Sequence, residues 1–185
     1  MLDVRASAIA GTWYEWNKEP LARVVDTFLN NAQLPALDGE VIGVIAPHAG
    51  HQYSGAVAGY AFAVIKELKP DLVAVISPFH NYSNHPLLTT AHDAYGTPLG
   101  RIEVDKSAMA ELSSHLDIPI TPVFADKEHS LEIELPFLQR ALNNEFKLLP
   151  IMIRAQEVDV AKKLGLALAK VLKDKNALLV ASTDL

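Results

Sequence analysis

Four mostly apolar runs punctuate the chain: Val41–Ala46, Leu72–Ser77, Lys147–Ile153 and Ala177–Ser182. They are rich in leucine and β-branched residues. A strand with one wet face alternates apolar and polar positions, whereas a near-continuous run suits a strand covered on both faces, as in a parallel sheet. Between the first two runs, "SGAVAGYAFAVIKELKP" carries Val57, Phe62, Ile65 and Leu68 near helical spacing, with Pro70 after the stop. Between the last two, Val158, Leu164, Leu168 and Leu172 form a longer stripe, with lysines toward the end that the helix dipole makes negative. Strand, helix and strand recur at the length of a βαβ unit. The pattern predicts an α/β fold with a mostly parallel central sheet and helices on both faces. Upstream, "EPLARVVDTFLNNAQLP" predicts another helix, closed by Asn30, Asn31 and Pro35. "RIEVDKSAMAELSSHL" predicts a strand and then a helix, and two prolines hold "DIPITPVF" extended. No repeat or linker divides the chain, so residues 1–185 read as a single domain.

The strand ends carry the candidate chemistry. In open α/β sheets ligands bind beyond the carboxyl ends of the strands. The first run continues as "PHAGHQYSG", placing His48 just past its end; the second continues as "PFHNYSN", placing His80 there; the fourth ends with Asp184. If the strands leading to His48 and His80 are neighbours, about 4.8 Å apart, both imidazoles reach one rim. They can then share a cation at about 2.0–2.1 Å. The plain alternative is a pair of satisfied loop histidines and a capping aspartate. In "ADKEHSLEIELPFLQRAL", Leu131, Leu135, Leu138 and Leu142 predict a helix that Pro136 kinks or starts. On such a helix His129 and Glu132 share a face, as a ligand pair or an acid/base pair. Against that stands a solvent-exposed acidic turn, since Glu128 and Glu134 lie close by. His51 and Tyr53 are near enough to line the same pocket. His115 ends a predicted helix and complements its dipole, whereas His85 and His92 support no claim.

Composition narrows the classes. Half of the 185 residues are hydrophobic and 21% are charged, enough for a core and an ordinary polar surface. A formal charge of −6 argues against a nucleic-acid partner, which wants a basic face. Without cysteine there is no disulfide framework and no thiolate site. The start of the chain lacks the pattern of a secretory signal, and no apolar run approaches the roughly 18 residues of a membrane span; the expectation is a cytoplasmic protein. Walker, G-x-G-x-x-G and G-x-S-x-G motifs are missing from the sequence.

Gly11-Thr12-Trp13-Tyr14, "APHAG" with Tyr53-Ser54-Gly55, "SPFH", "DKEHSLEIELP" and "ASTD" occur in the order and approximate spacing of Memo-like proteins. Archaeal and bacterial members of that family are called the B component of the AmmeMemoRadiSam system. The resemblance covers essentially the whole chain, and five ordered motifs make it specific. It implies a fold similar to class III extradiol dioxygenases, which are non-haem iron(II) enzymes. It also implies a metal pocket lined by His48 and His80, with Asp184 beside it as a further candidate ligand, Fe(II) as the expected metal and copper or zinc as alternatives. His129 and Glu132 match positions beside that pocket and are its candidate catalytic residues. The implied function is redox or dioxygenase-related. Its rival is a non-catalytic module on a relic of the enzyme fold, binding a small molecule, a peptide or a protein partner. Three departures stand out. Relatives often read Gly-Pro-Ser-His where this chain has Ser77-Pro78-Phe79-His80, and an aromatic residue where it has His51. Family chains also continue past the position of Leu185 into a further histidine and cysteine. On that comparison the expectation is a single Memo-like domain lacking its C-terminal part, a third ligand drawn from Glu132 or Asp184, and a homo-oligomer that hides the uncovered sheet.

Overall fold

The apolar runs form four adjacent strands of a six-stranded sheet in the computed structural model, which describes residues 2–184. In chain order the strands are β1 (Val4–Arg5), β2 (Gly43–Pro47), β3 (Leu72–Pro78), β4 (Leu87–Thr90), β5 (Ala94–Thr97), β6 (Gly100–Glu103), β7 (Ile120–Val123), β8 (Lys147–Ile153) and β9 (Ala177–Thr183). The large sheet runs β2-β9-β3-β8-β4-β7, and β1-β5-β6 form a small one. β2, β9, β3 and β8 are mutually parallel, while β4 turns antiparallel to β8. The longest apolar runs take the central places. Val73, Ala74 and Val75 of β3 and Leu148, Leu149, Ile151 and Met152 of β8 are fully buried, as strands covered on both faces require.

Helices cover both faces. On one side α1 (Lys18–Asn31), α2 (His51–Ala63) and α4 (Leu135–Ala141) build the larger core; on the other, α3 (Lys106–Ser114) and α5 (Val158–Leu172) build the smaller. α1 buries Leu21, Val25 and Leu29, a single stripe at four-residue spacing. α3 starts where the Asp105 carboxylate accepts the Ala108 N–H at 2.9 Å, satisfying one of the orphan donors of the first turn. α1 and α2 approach closely because Gly59 has no side chain; a Cβ there would stand 2.6 Å from the Phe28 carbonyl oxygen.

Two expectations change. The strands leading to His48 and His80 are not neighbours: β9, the strand leading to Asp184, lies between them. All three run the same way, so their carboxyl ends still share one rim. The leucine stripe of residues 131–142 is also not one helix. Glu132–Glu134 make a single 3₁₀ turn and α4 begins at Leu135, with Pro136 in the first turn, where its missing N–H removes no helical hydrogen bond. His129 therefore sits in the loop before the helix rather than one turn from Glu132 on a helical face. Among the described residues no helix is long and apolar enough to cross a membrane.

Candidate metal centre

His48 is held by the strand beside it. Its backbone N–H donates to Thr183 O at 3.2 Å, extending the β2–β9 ladder by one rung. Its buried ring places Nδ1 3.0 Å from Ser182 Oγ. Nε2 faces Asp184 Oδ1 at 2.7 Å, outside hydrogen-bond alignment. His80, just past β3, is fixed by Glu128. The His80 backbone N–H donates to Glu128 Oε2 at 2.6 Å, and ring Nδ1 lies 2.8 Å from Oε1. The same Oε1 accepts the backbone N–H groups of His129 at 2.9 Å and Ser130 at 3.1 Å, and His129 Nδ1 stands 3.1 Å away. Ser130 Oγ donates to Pro78 O at 2.6 Å, tying this loop to the end of β3. One buried carboxylate thus anchors two imidazoles, the outer-shell arrangement that fixes a ligating histidine's tautomer.

The three rings converge. Their centroids are 5.3 Å apart for His48 and His80, 5.8 Å for His48 and His129, and 4.5 Å for the stacked pair His80 and His129. One ring nitrogen from each lies within 4.8 Å of the others. Trp13 covers the His129 ring at 4.3 Å. Burial, with the Coulombic effect of the neighbouring imidazoles behind it, lowers the pKa of His48 and of His129. Both shifts favour the neutral ring. Burial opposes ionisation of Glu128, but hydrogen bonds from the His80 ring and from the backbone of His80 and Ser130 together hold its carboxyl below the usual range. With Nδ1 of His48 and of His80 hydrogen-bonded on the outer side of the ring and Nδ1 of His129 beside Glu128, the Nε2 atoms are what remain for a ligand. Asp184 bridges the rim, its Oδ2 3.7 Å from His80 Nε2. Three imidazoles and a carboxylate are a donor set for zinc, iron or copper, not for calcium or magnesium.

Of the residues expected at the site, His48, His80, His129 and Asp184 are brought together. Glu132 is not. It is fully buried, and both its oxygens are taken by the N-terminal segment: Arg5 Nη1 at 2.6 Å, Tyr14 Oη at 2.7 Å, the Ala8 N–H at 2.9 Å, and Ser7. That leaves it neither acid/base reach to His129 nor a free oxygen for a metal. His51 opens α2 but lies in the core against Tyr14, Phe28 and Phe137, with neither ring nitrogen partnered. Burial pushes its pKa down to about 4. Tyr53 stands on the exposed surface of α2.

Glu128, Ser182 and Glu134 escaped sequence reasoning. Glu128, Glu132 and Glu134 form no exposed turn; all three are buried. The available signal was their setting, since Leu131, Ile133 and Leu135 interleave with Glu132 and Glu134. A carboxylate inside an apolar run needs a specific partner.

Comparison with known proteins agrees across the chain. A family model described as "Memo-like protein" matches residues 5–185. A MEMO1 family protein of Nitrosopumilus maritimus is 33% identical over 187 residues, covering 98% of this chain and 68% of the relative. One from Pyrobaculum aerophilum is 35% identical over 191 residues, with the same shares. One from Aquifex aeolicus is 35% identical over 182 residues, covering 98% and 67%.

Proposed function

The chain belongs to the Memo-like family, and on that premise we propose that it is a metalloprotein of redox or dioxygenase-related function. His48, His80 and His129 hold one transition-metal ion, iron(II) first and copper or zinc as alternatives, with Asp184 at the rim. The observation that carries this reading is the convergence of three imidazoles, each held from its outer side. Bound iron(II) would supply a Lewis-acidic centre with one-electron chemistry. The protein supplies the rest. Glu128 orients the rings of His80 and His129, and Trp13 shields one side of the site from water. Where Asp184 completes a two-histidine, one-carboxylate set, the neutral His129 imidazole is free to accept a proton at Nε2. The acidic balance of −6 favours a small-molecule or peptide ligand over nucleic acid.

A second reading, a non-catalytic binding module, draws on the aromatic side chains left in solvent: Trp13, Trp16, Tyr53, Tyr60, Tyr82 and Phe124. Such surfaces suit peptide or protein contact. Anaerobic loading with iron(II), metal analysis and oxygen uptake with a panel of catechols separate the two. Stoichiometric iron with catechol-dependent uptake supports the enzyme; stoichiometric iron with no uptake supports the module. No retained metal sinks the shared premise.

A further inference from the structure

Ser182 has more neighbours than one hydroxyl proton can serve. Its Oγ lies 2.7 Å from Ser130 O, 2.7 Å from Glu134 Oε1 and 3.0 Å from His48 Nδ1. A hydroxyl donates one hydrogen bond and accepts at two lone pairs. A peptide carbonyl only accepts, so the Ser182 proton belongs to Ser130 O. The remaining two neighbours must then donate. For Glu134 that requires a neutral carboxylic acid, and for His48 it requires the proton on Nδ1. Any other assignment of the Ser182 proton, or an ionised Glu134, leaves two oxygens 2.7 Å apart with no proton between them.

The surroundings of Glu134 agree with this count. Its side chain is fully buried, and its Oε2 has no hydrogen-bond partner. Among the described residues no cationic side chain pairs with it, whereas Arg5 answers Glu132 and Asp126. An unpaired carboxylate in such a place carries a large desolvation cost, which protonation removes. Burial pushes the Glu134 carboxyl up to about 8.

We propose that Glu134 and Ser182 are positioning residues for the metal centre. The neutral acid donates its O–H to the serine oxygen, the same oxygen accepts Nδ1–H of His48, and the Nε2 lone pair is thereby left for the cation whose rim Asp184 forms. The site thus sets one tautomer in two ways: an ionised Glu128 receives Nδ1–H of His80, and a neutral Glu134 works on His48 through a hydroxyl. The use of this tautomer rests on the proposed metal reading. The tautomer itself is a property of the metal-free chain and is measured there.

The test is a long-range ¹⁵N–¹H correlation spectrum of the metal-free protein with ¹⁵N-labelled histidine, with the His48 signals identified by their loss in His48→Ala. Wild type and Glu134→Gln, whose amide still donates to Ser182, are expected to show His48 protonated at Nδ1 and bare at Nε2. Ser182→Ala is expected to lose that preference. In parallel, Zn²⁺ titrated into each protein should bind about 10–100-fold more weakly to Ser182→Ala, the usual cost of losing an outer-shell partner, and within about threefold of wild type to Glu134→Gln. Infrared difference spectra between wild type and Glu134→Gln at pH 6 should show the carbonyl stretch of a neutral carboxyl group. A His48 ring protonated at Nε2 in wild type, or a carboxylate band for Glu134, overturns the proposal even where Ser182→Ala fails to fold. So does a folded Ser182→Ala with unchanged tautomer and zinc affinity. The expected tautomer in a wild-type protein that takes up no zinc supports the hydrogen-bond assignment and removes only the metal reading.

Discussion

Glu128 and Glu132 lie four residues apart, the first in the loop before the 3₁₀ turn and the second opening that turn, both buried, and they serve opposite ends. Glu132 belongs to a closed clasp. Arg5 joins it at 2.6 Å and Asp126 at 2.7 Å, donates to Glu128 O at 2.7 Å, and lies over the Tyr95 ring. Tyr14 and Ser7 fill what is left of Glu132. Glu128 instead belongs to an open cluster, in which each imidazole has one nitrogen anchored and the other free. A polar network whose valences are all filled holds the fold together, whereas one that leaves lone pairs converging has capacity for a ligand.

The largest expected effect falls on the clasp. Arg5→Ala strands Asp126 and Glu132 in the interior, and losing one partner of a buried pair costs about 3–5 kcal/mol. Urea unfolding measures it. His80→Ala, at a partly exposed ring, should change stability by less than about 1 kcal/mol while abolishing tight metal binding. If Arg5→Ala unfolds no more easily than His80→Ala, the division between clasp and cluster fails.

Next comes His51, whose folded pKa of about 4 lies below the roughly 6.5 of an unfolded histidine. The unfolded chain binds the extra proton between these values, so stability is full above pH 6.5 and is lost as pH falls toward 4. The amount is on the order of 3 kcal/mol. Glu134, with its folded pKa raised to about 8, acts in the other sense: its contribution is present below the ordinary carboxylate range and is lost as pH rises through 8. The observable is therefore the difference between wild type and His51→Leu, followed by denaturation from pH 7 to pH 4. A constant difference contradicts the buried, neutral ring.

Smaller still is Glu128→Gln. The amide that replaces the carboxylate still accepts hydrogen bonds but no longer offers a charge to two imidazoles, so metal affinity should drop about 10–100-fold in calorimetric titration, with the fold intact. Unchanged affinity would detach Glu128 from the site. The smallest effect belongs to Tyr53→Ala on the exposed face of α2: stability within about 0.5 kcal/mol and unchanged metal affinity. A large loss of metal at Tyr53 would extend the site beyond the strand ends.

The layered fold was legible because its signal is local. The apolar runs became β2, β3, β8 and β9 with bounds shifted by at most two residues, and the rule for ligands at strand ends located His48, His80 and Asp184. Strand order was not legible, because nothing in the spacing says that β9 inserts between β2 and β3. His129 was noticed but assigned through a helix that does not exist there. Pro136 starts α4 and leaves residues 126–131 as a loop, and only that loop lets His129 stack on His80. The Arg5 clasp spans 127 positions along the chain and has no local pattern. Ser182 and Glu134 read as ordinary strand and acidic-turn residues until the sheet brings them together.

Crystals of the protein grown with iron(II) without oxygen, with data collected on either side of the iron absorption edge, test the central claim most directly. One anomalous peak about 2.0–2.2 Å from a nitrogen of each of His48, His80 and His129 is the predicted result. Full iron in the crystal with the peak elsewhere, or rings that turn away from one another with no peak between them, would contradict it.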